Sequence, residues 1–211
     1  MSIRSSAQPV SRPYRASSIS IHDRVVRRFL SILLSFCVAS SLAQPKADRQ
    51  QLAIALDYFQ GGKYHEALMI FSRLDSLYTL NPRIRAYTGL CYFYDNDFGQ
   101  AARILDDALP KLRAFAPVER SVYYRADADS HFFLKQYDSA LAAYDSLTAL
   151  CSEIDKAEAF YRKGFILVYR QAWYEALDNL QTALVYYKKY LPHEEARIAQ
   201  IRNMIYGCCE E

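Results

Sequence analysis

The histidines and cysteines of this 211-residue chain are few, and their side chains could support metal binding or acid–base catalysis. The four histidines are His22, His65, His131 and His193. The four cysteines that follow residue 43 are Cys91, Cys151, Cys208 and Cys209. No two histidines have the spacing of a zinc-protease helix, and the cysteines lack the paired spacing of zinc ligands. Their spacing alone therefore indicates neither a metal centre nor a catalytic centre.

One pair of residues could still do chemistry. Asp127 and His131 stand four apart, which places them one above the other on a helix, with Asp129 between them. A functional interpretation is a metal or proton-transfer site. A structural interpretation is an Asp–His hydrogen bond located at a repeat junction, in which each group satisfies the other. We favour the structural pair because two residues make an incomplete metal site. The sequence thus predicts no catalytic residue, no metal ion and no cofactor, and a protein that is not an enzyme.

The cysteines leave their pairing open. An oxidising compartment would permit disulfides, but four cysteines allow three pairings and the sequence does not choose between them. Cys91 falls inside a predicted helix, where a free thiol typically packs as a small apolar residue. Cys208 and Cys209 stand beside the C-terminus, so they are the better candidates for reactive or intermolecular thiols.

The elements that position these residues are indicated by an internal repeat. Four segments carry an aromatic residue three positions before an alanine, and those alanines are Ala67, Ala101, Ala140 and Ala176. A small residue stands twelve positions before each alanine, in the order Ala55, Gly89, Ala128 and Gly164. A large residue stands four positions after it, in the order Phe71, Leu105, Tyr144 and Leu180. Two helices joined by a tight turn approach closely where side chains are small, so each unit predicts a helical hairpin.

The pattern resembles the tetratricopeptide repeat family, whose unit is a helix–turn–helix with these small and aromatic positions. The resemblance covers roughly residues 48–190. This chain departs from the family where an upstream tryptophan is expected and Gln51, Arg85, Tyr124 and Phe160 stand instead. The resemblance implies an all-α fold, a right-handed superhelical solenoid of four hairpin repeats. A last amphipathic stretch would cap the final hairpin, as the end of a solenoid requires.

The predicted domain organisation follows from this register. Residues 1–43 form a leader and a secretory signal peptide, residues 44–207 form the repeat domain, and residues 208–211 form a C-terminal tail. The hairpins are predicted at about 47–80, 82–115, 118–151 and 155–190, with the capping helix at about 193–206. Pro110 is expected to end or kink the second helix of the second hairpin, because its ring displaces a backbone hydrogen bond.

The N-terminal segment has the order of a secretory signal. Arg24, Arg27 and Arg28 precede a short apolar run at 29–38, and small residues follow it. We expect cleavage between Ala43 and Gln44 and a periplasmic or secreted protein without an integral membrane segment. An uncleaved anchor and a transit peptide are the alternatives. Without residues 1–43 the net charge changes from +3 to slightly negative, so the basic excess typical of nucleic-acid binding is absent.

The resemblance also implies a binding surface, because the first helix of each hairpin lines the concave face in this family. The groove residues implied are Leu56, Phe59, Arg83, Leu90, Phe93, Tyr94, Arg125, Asp129, Phe132, Tyr161, Phe165 and Tyr169. Phe133 lies in the same register. We expect a protein or peptide partner held by aromatic anchors, with Arg83 and Arg125 selecting acidic groups. The alternative is a structural subunit of a bacterial envelope assembly whose groove is permanently occupied.

Overall fold

The computed structural model describes residues 46–210, and every regular element in this range is a helix. The helices are α1 (46–60), α2 (Tyr64–Leu77), α3 (Pro82–Tyr94), α4 (Phe98–Ala108), α5 (Pro117–Phe133), α6 (Tyr137–Thr148), α7 (Glu153–Tyr169), α8 (Trp173–Tyr190) and α9 (Glu195–Glu210). A 3₁₀ turn, Leu109–Leu112, follows α4. None of these helices has both the length and the apolar composition of a membrane span. The predicted leader and cleavage site lie outside the described residues.

The helices form four consecutive hairpins that stack in chain order. Each hairpin pairs one helix with the next, and its second helix packs against the first helix of the following hairpin. The first helices of the second and third hairpins, α3 and α5, also touch each other. α9 packs on α8 and covers the last hairpin. The predicted all-α solenoid of four hairpins with a C-terminal capping helix is confirmed.

The four hairpin turns share one backbone conformation. Gly62, Asn96, Lys135 and Gln171 occupy the same position in successive turns, with φ values of 73°, 62°, 59° and 59°. In each turn the following residue donates its N–H to the carbonyl five residues earlier, at 2.9 Å. This is the hydrogen-bonding pattern of a Schellman motif, which ends a helix and satisfies its last carbonyl groups. The repeat therefore extends from side-chain spacing to backbone geometry.

Small residues set the distance between the two helices of a hairpin. A Cβ atom added to Gly89 would lie 2.7 Å from Leu105 Cγ, and one added to Gly164 would lie 2.6 Å from Leu180 Cγ. No ordinary side chain fits at such distances. The alanines that the repeat predicted on the facing helices, such as Ala101 and Ala176, have no exposed surface. The helices cross closely, as the sequence predicted.

Pro110 marks a change between the second and third hairpins. Helix α4 ends at Ala108, and the chain continues as the 3₁₀ turn that contains Pro110. Leu109 and Leu112 of this turn are buried against Tyr123 of α5. The additional residues between these two hairpins thus form part of the core, and the expected end of the helix at Pro110 is observed.

The C-terminal helix differs from the prediction. It begins at Glu195 and extends to Glu210, whereas the predicted helix covers about 193–206 and the predicted tail 208–211. Gly207 lies within this helix and has no positive φ, so it does not end the helix. Cys208 is buried in the same cluster as Leu180 and Ile201, so continuing the helix removes its thiol from water.

Candidate functional site

The structure distributes the twelve predicted groove residues over three environments. Leu90 and Tyr161 are buried, each with 4% of its surface exposed. The half-buried residues are Leu56, Phe59, Phe93, Arg125, Asp129 and Phe132. The exposed residues are Arg83, Tyr94, Phe165 and Tyr169. Leu90 lies in a buried cluster with residues of α4 and α5, and Tyr161 in one with residues of α8 and α9, where the Arg197 guanidinium lies over its ring. The prediction that these two contact a ligand is therefore corrected: their side chains are buried between helices.

Four exposed aromatic rings stand near the C-terminal ends of three successive first helices. These residues, here called the aromatic row, are Tyr94 of α3, Phe133 of α5, and Phe165 and Tyr169 of α7. Their exposed fractions are 49%, 48%, 37% and 66%. Tyr94, Phe133 and Tyr169 are each the last residue of their helix, because the shared turn begins directly after them.

Three residues of the aromatic row pack against the aromatic residue that stands three positions before the repeat alanine of the preceding hairpin. Tyr64, Phe98 and Tyr137 are the first residues of α2, α4 and α6, and each contacts the row residue of the following hairpin. The ring centroids are 4.1 Å apart for Tyr64–Tyr94, 4.5 Å for Phe98–Phe133 and 5.1 Å for Tyr137–Tyr169. The first two pairs are stacked. The row is therefore held in place by contacts between hairpins.

Phe132 links the row to a charged side chain that the sequence analysis did not single out. Its ring meets Phe165 edge to face, with the centroids 5.7 Å apart. The Arg162 guanidinium lies over the same ring, 4.8 Å from its centroid, and donates to Glu158 at 2.8 Å. A cation over an aromatic face adds attraction beyond area burial. The pairing depends on two different helices, so sequence spacing gave no signal for it.

The two arginines expected to select acidic ligands already have acidic partners. Arg83 donates to both carboxylate oxygens of Glu119, at 2.6 and 2.8 Å. Arg125 forms an ion pair with Asp155. Burial alone would raise the pKa of Glu119, but the hydrogen bonds from Arg83 and Tyr123 hold it below its ordinary value. Both ion pairs join first helices of adjacent hairpins, so these arginines connect repeats within the chain.

Asp129 is also engaged within the chain. The Tyr144 hydroxyl donates to its Oδ1 atom at 2.5 Å. Burial raises the pKa of Asp129, while the Tyr144 hydrogen bond and the charges of Arg162 and Arg125 oppose that rise. This carboxylate links the first and second helices of the third hairpin.

Asp127 and His131 belong to a larger cluster than the predicted pair. His131 Nε2 lies 3.7 Å from Asp127 Oδ1 and 3.4 Å from Oδ1 of Asp106, a residue of α4. Its other nitrogen, Nδ1, is 2.7 Å from the Gln136 side-chain oxygen. Burial and the neighbouring Asp106 carboxylate raise the pKa of Asp127 to about 7, and His131 opposes this rise. Asp106 and Gln136 were not part of the sequence prediction, because they come from other segments.

The cluster lies at the base of a surface cleft between the second and third hairpins. The cleft has a volume of about 300 Å³. Asp106 and Pro110 line it on one side, and Ser139 and Ser146 of α6 on the other. The protein thus gives solvent a path to the carboxylates and the imidazole.

The four cysteines after residue 43 are free. Cys91 is fully buried, and burial raises the pKa of its thiol to about 12, so its predicted place in the core is confirmed. Cys208 is buried in the cluster against α8, which leaves Cys209 as the exposed thiol of the C-terminal pair.

No known protein-family pattern and no curated protein sequence match this chain. Solved structures do. A crystal structure of MamA protein matches with a TM-score of 0.58 and 12% identity, over 79% of this chain and 88% of that one. A structure of MamA from Desulfovibrio magneticus RS-1 matches with a TM-score of 0.53 and 16% identity, over 77% of this chain and 93% of that one.

A third match is the crystal structure of the APC/C hetero-tetramer Cut9–Hcn1. Its TM-score is 0.55 at 14% identity, over 75% of this chain and 29% of that one. At such identities the likeness concerns the fold. Together with the four hairpins and their shared turns, these matches show a tetratricopeptide-repeat fold.

Proposed function

Starting from a chain with a tetratricopeptide-repeat fold, we propose that it is a non-enzymatic interaction module that binds a polypeptide segment along its first helices. One observation carries the proposal. The aromatic row places four exposed rings on three consecutive first helices, so one extended or helical segment could contact all of them. Large contiguous apolar surfaces of this kind usually mark an interface.

The chemistry of the row suits peptide binding. Tyrosine and phenylalanine offer much contact area with few rotatable bonds, and aromatic residues are frequent hot spots of protein interfaces. The rings beneath Tyr94, Phe133 and Tyr169 fix their orientation before a ligand arrives. A surface that is already ordered loses less conformational entropy when it binds.

The ion pairs change the expected specificity. Because Arg83 and Arg125 are bound to Glu119 and Asp155, an acidic ligand would have to displace a carboxylate of this chain. The proposed ligand is therefore a segment with apolar anchor residues, and acidic groups contribute little to its selection. One of the similar structures is that of the APC/C hetero-tetramer Cut9–Hcn1, which supports a protein partner for this fold.

Export is part of the same proposal. Arg24, Arg27 and Arg28 followed by the apolar run 29–38 support a periplasmic or secreted location. N-terminal sequencing of the exported chain is expected to read from Gln44. An exported chain that begins upstream of Phe29 would contradict cleavage.

The binding face can be tested with peptides selected on the purified chain from a random phage-displayed library. We expect apolar or aromatic-rich peptides with affinities on the order of micromolar, or about −8 kcal/mol. Replacing both Tyr94 and Tyr169 with alanine should weaken binding by roughly 2–4 kcal/mol, measured by fluorescence polarisation. The helical circular-dichroism signal should be retained.

Two exposed tyrosines outside the row give a matched control. Tyr174 is 90% exposed and Tyr206 is 68% exposed. The double variant Tyr174→Ala and Tyr206→Ala removes the same chemical groups and should bind the selected peptides as the unaltered chain does. Equal binding by the Tyr94 and Tyr169 variant would exclude the aromatic row as the site.

A further inference from the structure

An unsatisfied carboxylate lies at the base of the cleft between the second and third hairpins. Asp127 has only 4% of its surface exposed, and its Oδ1 atom is buried without a hydrogen-bond partner. Buried polar atoms in proteins are nearly always hydrogen-bonded, because an unpaired one costs free energy. This oxygen therefore points to a ligand that the protein atoms do not supply.

The surrounding atoms have the spacing of metal ligands. Oδ1 of Asp106, a carboxylate oxygen of Asp127 and Nε2 of His131 all lie within 4.8 Å of one another. The distances from Nε2 to the two carboxylate oxygens are 3.4 and 3.7 Å. Ligands about 2.1 Å from a tetrahedral zinc ion are separated by about 3.4 Å. One ion could thus contact all three atoms after a small rotation of Asp106, which is exposed.

The partner of the other imidazole nitrogen fits the same interpretation. Nδ1 of His131 lies 2.7 Å from the side-chain oxygen of Gln136, which accepts a hydrogen bond from it. With the proton on Nδ1, the lone pair of Nε2 in a neutral imidazole points towards the two carboxylates. Histidine ligands of metals are usually oriented by a second hydrogen bond of this kind.

We propose that Asp106, Asp127 and His131 bind a divalent transition-metal ion, of which Zn²⁺ fits the donor set best. An imidazole nitrogen favours zinc-like ions over Mg²⁺ and Ca²⁺, which take oxygen ligands. Three protein ligands leave a fourth position, and here that position faces the cleft. The ion would hold α4 to α5, so it would fasten the second hairpin to the third. The site is separate from the aromatic row and independent of the proposed peptide binding.

The proposal is tested by titrating the purified chain with ZnCl₂ in an isothermal calorimeter. We expect one ion per chain and an increase in the melting temperature when zinc is saturating. Asp106→Asn is the deciding variant, because residue 106 is exposed and its replacement leaves the core intact. It should weaken zinc binding by at least about 100-fold, and Gln136→Ala should weaken it by about 10- to 100-fold.

Two matched variants control for nonspecific binding. His65 and Asp95 form an exposed pair 2.7 Å apart to which residues 46–210 add no third ligand, so His65→Gln should leave the stoichiometric site unchanged. Asp138 is 91% exposed at its side chain, and Asp138→Asn should likewise have no effect. Excess Mg²⁺ should not displace the zinc.

The thiols at the C-terminus are the main competing ligands. If zinc binding survives in Asp106→Asn but is lost when Cys208 and Cys209 are replaced with serine, the proposal is overturned. A Co²⁺ complex with a strong thiolate charge-transfer band would also overturn it. If no ion binds to the chain, the metal site does not exist and the proposal is overturned.

Discussion

Two contacts between consecutive helices, here called the apolar boundary (α8 with α9) and the polar boundary (α4 with α5), differ in the side chains that they bury. At the end of the solenoid, α9 covers α8 through Ile201 and Cys208, packed on Leu180. Between the second and third hairpins, the side of α5 that carries Asp127 and His131 meets Asp106, one of the two adjacent aspartates of α4. The first boundary is stabilised by removing apolar surface from water, which does not depend on pH or ions. The second contains a buried carboxylate without a hydrogen-bond partner, so its contribution to stability depends on the protonation of that carboxyl group.

The apolar boundary should show the largest effect of a single substitution. Ile201 has no exposed surface, so Ile201→Ala would leave a cavity between α9 and α8. We expect the free energy of unfolding to fall by about 2–4 kcal/mol, measured by chemical denaturation. Arg202→Ala, at an exposed neighbouring position, should change it by less than about 0.5 kcal/mol. A loss below about 1 kcal/mol for Ile201→Ala would mean that α9 does not dock as described.

A substitution in the last hairpin tests whether stability requires the close approach of α7 and α8, in addition to the burial of apolar surface. Gly164→Ala adds a methyl group 2.6 Å from Leu180 Cγ, which forces the two helices apart. We expect a loss of about 1–3 kcal/mol in the free energy of unfolding. Gly207→Ala in α9 is the matched control, because nothing lies within 4 Å of its added Cβ. It should raise stability by about 0.5–1 kcal/mol through helix propensity. If both variants behave alike, close crossing is not required.

Substitution at the polar boundary should cause the smallest loss of stability, because its effect has the opposite direction. In the presence of a chelator, Asp127→Asn removes a carboxylate whose pKa is raised by burial and by Asp106. Because the folded chain favours the neutral form of Asp127, the contribution of this group to the free energy of unfolding is complete below pH 3.8. That contribution is lost as the pH rises through about 7, where the folded chain must hold the charged form. The asparagine variant should therefore be more stable than the unaltered chain near pH 8. The difference should disappear near pH 4.

Denaturation at several pH values measures this difference. Asp106 and His131 face the Asp127 carboxyl group, so they change the pH at which the stability difference is half complete. They do not change which of the two proteins is more stable. A difference that stays constant from about pH 4 to about pH 8 would show that Asp127 does not titrate in this range. The two boundaries would then differ less than their chemistry indicates.

Much of the fold followed from four positions in each repeat. The alanine anchors, such as Ala101, and the glycines, such as Gly164, are small because the two helices of a hairpin cross closely at these positions. Both helices lie within one repeat, so this requirement is visible in the spacing of nearby residues. The turn conformation was visible only in part. Gly62 and Asn96 are residues that tolerate positive φ, whereas Lys135 and Gln171 adopt it because the stacked hairpins impose it.

The candidate sites were less accessible to sequence reasoning. Residues on one helix face divide between solvent and the partner helix, and the register did not distinguish Tyr169, which is exposed, from Tyr161, which is buried. Pairing between hairpins was also invisible, so Arg83 and Arg125 were expected to be open to ligands. Asp106 and His131 lie on different hairpins and approach each other only where α4 packs on α5, which sequence spacing does not reveal.

The identical turns have a consequence for the rate of folding. Each turn is closed by hydrogen bonds that span at most five residues, and each hairpin packs on the next one along the chain. Contacts between residues close in sequence form early, because little chain entropy is lost in closing them. A repeat array of this kind can begin to fold at any hairpin and grow in either direction. A destabilising substitution in the hairpin at one end should therefore slow the packing of that hairpin on its neighbour. The folding rate of the hairpins at the other end should be unchanged.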